Sequence, residues 1–242
     1  DKKIELTFQI SIDDFPEEHN KVRKVKNLFE NCIETYRKLK SMNDRVTPVV
    51  SVTVTHENCD NMKNIFKYLT EDCKIDSLKC TIVRDEGVFK TPQEKREKIF
   101  NAYCWLTDKI KEYSKIKKLR NYNLKSIQGK LHSKKDEISW DLTKKMYLNP
   151  KYISPCHAGS LFGIITAAGL VYPCEILEDK LLGNLRDNNM NFMKIWDNTV
   201  TKEAKNFILK SKCNCTYECA LTYNILGNLR YQPSLIKSFI DR

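Results

Sequence analysis

The sequence predicts an α/β unit followed by a small, loop-rich α+β unit held together by thiolates. Three observations carry that prediction. β-branched apolar runs alternate with helical apolar stripes up to about residue 90, the texture changes at Pro150, and five of the ten cysteines gather beyond that point. A chain of 242 residues can build a real core. Its 41% hydrophobic content and net charge of +11 exclude a disordered chain, a collagen-like chain and a small disulfide scaffold. The longest weakly polar run, residues 161–172, is too short to cross a bilayer. The opening DKKIELTFQIS has no signal-peptide pattern, so the cysteines read as reduced thiols or metal ligands and a cytoplasmic location is expected.

Residues 4–12 (IELTFQISI) read as a strand, and a strand so close to residue 1 is expected of a chain that opens inside a domain, a fragment. Residues 17–42 place Val22, Val25, Phe29, Cys32, Ile33, Tyr36 and Leu39 at three- and four-residue steps, the stripe of one amphipathic helix. A β-branched run, 49–55 (VVSVTVT), predicts a second strand. Met62, Ile65, Phe66 and Leu69 mark another helix, and 78–84 (LKCTIVR) a third strand. Strands alternating with helices imply parallel pairing with crossover helices. Ile99, Tyr103, Leu106, Ile110 and Tyr113 continue helically after Pro92.

Residues 109–145 hold eleven Lys and one Arg against four acids, which is +8 of the +11. They read as a solvated helical connector over 91–149, or as a basic surface for an acidic partner or nucleic acid. No aromatic stacking ladder accompanies the charge, so nucleic acid is not the expected partner.

Five of the seven glycines (Gly159, Gly163, Gly169, Gly183 and Gly227) lie in residues 150–242. Residues 161–166 and 170–174, turning at 167–169, predict a hairpin, with short helices at 191–196, 201–209 and near the end. So loop-rich a unit needs a staple. Cys32, Cys59, Cys73, Cys80 and Cys104 are scattered and read as small packing residues. Cys156 precedes the hairpin and Cys174 closes it, while Cys213, Cys215 and Cys219 form a compact triplet. Four thiolates suit either tetrahedral zinc or an iron–sulfur cluster, and spacing alone does not choose between them. There is no P-loop, no G-x-G-x-x-G and no H-E-x-x-H among His19, His56, His132 and His157. Adjacent Cys156 and His157 make a poor nucleophile pair.

Cys156, twelve residues, Gly169, four residues and Cys174, with CHAG, GLVYPCE, LLGNLRD, IW and CNCTYEC, resemble the SPASM/twitch auxiliary-cluster domain of radical S-adenosylmethionine (SAM) enzymes. Cys156, Cys174 and Cys219 match best, and the fourth ligand is Cys213 or Cys215. QISID followed by EEHNKVR resembles the fourth strand and helix of the radical SAM barrel, TVTHEN the fifth strand and TIVRDEG the sixth. The resemblance covers about residues 4–87 and 150–226. It implies the C-terminal half of a partial (β/α)6 TIM-like barrel over 1–90, the connector over 91–149 and the SPASM/twitch-like domain over 150–242. It also implies SAM ribose contacts at Ser11 and Asp13 and a SAM carboxylate contact at Arg23, although Ser11 and Asp13 also fit an ordinary turn and Arg23 an exposed helix position. Arg84 divides between that site and a surface ion pair.

The C-x3-C-x2-C motif that binds the catalytic [4Fe–4S] cluster does not occur in these residues. The expectation is therefore a radical SAM enzyme family member, inactive as this piece alone, with one auxiliary [4Fe–4S] cluster. The parent would use SAM, a second [4Fe–4S] cluster and a reductant such as flavodoxin or ferredoxin to generate a 5′-deoxyadenosyl radical. That radical abstracts hydrogen from a peptide or small molecule that no residue here identifies. The alternative is a non-catalytic zinc- or cluster-stapled module with a basic binding surface.

Overall fold

The computed structural model describes residues 6–43, 45–84, 91–122, 124 and 126–240. It divides into two compact units, Asp1–Ser126 and Ile127–Arg242. The division falls inside the stretch expected to act as a connector. Its first helix packs on the sheet of the first unit and its second packs among helices of the second unit.

The first unit holds β1 (Leu6–Ser11), α1 (Pro16–Arg23), α2 (Leu28–Met42), β2 (Val46–Val54), α3 (Met62–Lys67), β3 (Leu78–Ile82) and α4 (Arg96–Lys115). The strands form one parallel sheet in the order β1-β2-β3, as the alternating pattern requires. Successive side chains alternate between faces and register partners share a face. Val50, Val52 and Val54 with Leu78, Cys80 and Ile82 therefore make one apolar face, all of it buried. Register partners Ser11, Ser51 and Lys79, with Thr53 beside Thr81, make the other face polar. Helices α2 and α4 pack on β2 and β3.

Two details bear on where the strands end. Beside β3, the Asn121 amide takes both polar groups of Leu78, accepting from its N–H at 2.7 Å and donating to its carbonyl at 2.7 Å. It thus stands in for a neighbouring strand on an edge that would otherwise present unpaired groups. The single helix expected over 17–42 is instead two. Lys24 adopts left-handed geometry at φ 55°, and its N–H and that of Val25 turn back to the carbonyls of Lys21 and Asn20, which closes α1. The Asn20 side chain accepts from Phe29 N–H at 2.8 Å and so opens α2. Val22 and Val25 are consequently exposed, while Phe29, Ile33 and Tyr36 carry the buried stripe.

The second unit holds α5 (Ile127–Met146), β4 (Ile164–Ile165), β5 (Leu170–Tyr172), β6 (Gly183–Asn184), α6 (Phe192–Trp196), α7 (Thr199–Lys210), α8 (Glu218–Leu226) and α9 (Gln232–Ile240). Strands β4-β5-β6 form a small antiparallel sheet that contains the expected hairpin. Leu142 and Met146 of α5 bury against Leu221, Ile225 and Leu235 from α8 and α9. Lys135 and Asp136 form an ion pair inside this unit, so α5 is not a solvated connector despite its charge. No helix among the described residues is long and apolar enough to cross a membrane.

Candidate iron–sulfur and nucleoside sites

The cysteine site is assembled from three local devices. The first is the hairpin. Gly169, at φ +85°, donates its N–H to the Thr166 carbonyl at 2.9 Å, and the returning strand carries Cys174 beside Ala158 and Cys156. Leu182 and Leu185 then pair with Val171 and Gly169, which adds β6. The second is a chain of asparagine caps. Asn191 starts α6 by accepting from Met193 and Lys194 N–H, and Asn198 starts α7 by accepting from Thr201 N–H at 2.7 Å.

The third device ends α7. Lys212 is left-handed at φ 52°, its N–H donates to the Leu209 carbonyl, and Cys213 N–H donates to the Ile208 carbonyl at 3.2 Å. This pair of bonds is a Schellman termination, which brings the second residue after the helix back onto the residue five before it. Cys213 accordingly packs on Ile208 together with Cys156 and Cys174. Lys212 holds this geometry with a side chain that disfavours it. Lys212→Gly is expected to stabilise the second unit by about 1 kcal/mol. A denaturant midpoint that falls or stays constant would contradict the cap.

The electrostatics follow from the sulfur contacts. Cys156 lies below the ordinary thiol range because the Cys213 thiol donates to it, aided by the Ala158 N–H and the Asn224 amide against the cost of burial. The same pairing, reinforced by burial and by the charges of Cys156, Cys215 and Cys174, keeps the Cys213 proton on. Burial raises Cys174, although the N–H groups of Ile176, Leu177 and Glu175 favour its thiolate. The Asn224 carbonyl oxygen also accepts from His157 N–H at 2.7 Å. His157 Nε2 is buried with no partner among the described residues.

Of the five expected ligands, the structure brings Cys156, Cys174 and Cys213 into one cluster, with Cys215 within electrostatic reach of Cys213. Cys219 is not a buried member of that cluster. It is exposed at the start of α8 and hydrogen-bonds to Tyr217, whose hydroxyl also meets Glu175. Among the described residues no three His, Cys, Asp or Glu side chains close to ion-binding distance. The converging donors are nevertheless sulfur atoms in an apolar setting served by backbone N–H groups, which is the chemistry an iron–sulfur cluster takes. Cys59, Cys73 and Cys80 are buried and Cys32 and Cys104 half-buried, and none of these five is in a disulfide.

Residues 156–220 match the family profile of SPASM, an iron–sulfur cluster-binding domain. The chain carries a SPASM domain. In solved structures it resembles a polyhistidine-tagged anSMEcpe with bound AdoMet, at 17% identity and a TM-score of 0.53, covering 98% of this chain and 66% of that one. Native anSMEcpe with bound AdoMet gives 18% and 0.53, covering 97% and 65%. The form with AdoMet and a Cp18Cys peptide gives 16% and 0.52, covering 96% and 69%. The likeness shows that the chain shares the fold of these anSMEcpe structures. The chain spans 66% and 65% of the first two relatives' length. No curated protein matches it in sequence.

The expected nucleoside contacts lie at the C-terminal end of β1. Ser11 is the last residue of β1 and exposed. Asp13 and Arg23 are brought together, Arg23 Nη2 donating to Asp13 Oδ2 at 2.5 Å. Asp13 Oδ1 accepts from Thr53 N–H at 2.9 Å, so the carboxylate bridges the ends of two strands and still has lone pairs to offer. Arg84 follows β3, and residues 85–87 of the motif expected there lie outside the described residues. Sequence reasoning passed over two buried neighbours, His19 and Asn58, although both fall in stretches it singled out.

Proposed function

We propose that this chain belongs to a radical SAM enzyme in which the SPASM domain holds one auxiliary [4Fe–4S] cluster through Cys156, Cys174, Cys213 and Cys219. The observation that carries the proposal is the meeting of Cys156, Cys174 and Cys213 inside the residues that match an iron–sulfur cluster-binding domain. Cys213 is preferred to Cys215 because the end of α7 aims it at the other two. Cys219 joins the set through the sequence resemblance.

In the first unit, Ser11 and Asp13 would orient the SAM ribose by hydrogen bonds, and Arg23 would pair with its carboxylate. When bound, SAM and a reduced catalytic cluster supply one-electron hydrogen abstraction. The thiolates for that catalytic cluster would have to come from outside residues 1–242, since the motif is not among them. This chain's part is to bind and orient. The relatives' bound peptide makes a peptide one candidate substrate.

Anaerobic purification with iron and sulfide analysis tests the reading. About four irons and four sulfides per chain, with a brown chromophore, are expected. Stoichiometric zinc without sulfide would replace the enzyme reading with a stapled binding module.

A further inference from the structure

Asp13 has every polar group engaged. Its N–H donates to His19 Nδ1 at 3.3 Å, and its carbonyl accepts from Asn58 Nδ2 at 2.8 Å. Its two carboxylate oxygens meet Thr53 N–H and Arg23. Two of these partners are side chains withdrawn from solvent, His19 at 1% and Asn58 at 2% exposure.

Asn58 is spent entirely on the same junction. Its Nδ2 donates also to the Thr53 carbonyl at 2.8 Å, and its Oδ1 accepts from Thr55 N–H at 2.8 Å. One amide therefore fastens the exit of β1 to the exit of β2. His19 sits edge-on to the Phe29 ring. Accepting at Nδ1 obliges the neutral ring to carry its proton on Nε2, and that buried atom has no partner among the described residues. A leucine would fill such a place without stranding a donor. What the imidazole adds is an acceptor for the Asp13 N–H.

We infer that His19 and Asn58 are positioning residues that hold Asp13 with its carboxylate between Thr53 and Arg23. The inference rests on the reading of Asp13 as a SAM-ribose contact, and neither residue itself touches the ligand. Burial keeps His19 below the ordinary histidine range. The charged groups that act on it are Asp13 after β1, Arg23 on α1 and Glu30 on α2, two acids raising it and the arginine lowering it. Protonation would set an N–H of the ring against the Asp13 N–H, and the bond would be lost.

The test uses amide hydrogen exchange at Asp13 and Thr53, corrected for intrinsic rates, together with SAM titration, on the full chain. His19→Leu removes the acceptor, His19→Asn restores one near Nδ1, and Asn58→Ala cuts the bridge between strands. Exchange at both amides is expected to quicken about tenfold in His19→Leu and to return towards wild type in His19→Asn. SAM affinity is expected to fall about tenfold in His19→Leu and Asn58→Ala and to recover in His19→Asn. Wild type should lose protection as pH falls through and below the ordinary histidine range, while His19→Asn, which cannot titrate there, should not. Unchanged exchange in His19→Leu, or no rescue by His19→Asn, would overturn the inference. Should His19→Leu fail to fold, the two pH profiles decide, and parallel profiles overturn it. Wild type that shows the exchange pattern but binds no SAM would leave the positioning standing and remove the nucleoside reading.

Discussion

Cys156→Ala and Cys174→Ala are each expected to lose the bound iron and sulfide, whereas Cys59→Ala, altered at a buried thiol of the first unit, should keep the wild-type complement. The difference is one of chemistry rather than of burial. All three are buried, but Cys156 and Cys174 share an apolar pocket with a third sulfur and receive backbone N–H groups, while the Cys59 thiol donates to the His56 carbonyl. Where these residues hold a cluster, removing one thiolate would take away one of its ligands and weaken its binding as a whole. The C-terminal triplet sharpens the test. Cys213→Ala should behave like Cys156→Ala because the end of α7 places that sulfur, and Cys215→Ala should retain iron. Iron and sulfide measured per chain after anaerobic reconstitution check the series. Equal iron in Cys156→Ala, Cys174→Ala and Cys59→Ala would refute the ligand assignment.

The second large effect lies away from the sulfurs. A Cβ at Gly163 would meet the Trp196 indole at 2.8 Å and the Tyr172 carbonyl at 3.0 Å. Neither neighbour can easily yield. The carbonyl belongs to β5, and the indole is stacked on Phe192 at 5.0 Å with the Lys205 ammonium 5.5 Å from its ring centre. Gly163→Ala is therefore expected to cost about 2 kcal/mol through overpacking. In a unit of this size that lowers the melting temperature by about 10 °C. Calorimetry on the chain checks the shift. A melting temperature unchanged within about 1 °C would mean that the indole is free to move.

Much of this organisation is legible in residue order because it rests on periodicity. The β-branched runs at 49–55 and 78–84 became β2 and β3, and the glycine-marked hairpin became β4 and β5. What failed to show depends on single backbone turns. Lys24 and Lys212 stop helices in left-handed geometry where a glycine would have announced the stop. Residues 17–42 therefore read as one helix, and C-x-C at 213–215 left the choice of sulfur open. The lysines of 109–145 concealed a similar division, because charge density does not show that Trp140, Leu142 and Met146 give α5 a buried side. His19 and Asn58 left no pattern, since each acts through one junction that exists only when two strand ends are neighbours.

Helix α7 also works as a ruler. Its first turn is fixed by Asn198, whose amide is itself tied to the Leu182 carbonyl, and its last turn delivers Cys213. The sulfur's direction thus depends on the number of residues between the two caps. Adding one residue inside α7 would turn everything beyond it by about 100° and advance it by about 1.5 Å, swinging Cys213 off the pocket that holds Cys156 and Cys174. The stretch between α5 and Cys156 has no regular repeat to keep count, and extra length there can bulge outward. Across related sequences, the length of α7 should therefore be nearly invariant, while length variation gathers in the loops before Cys156.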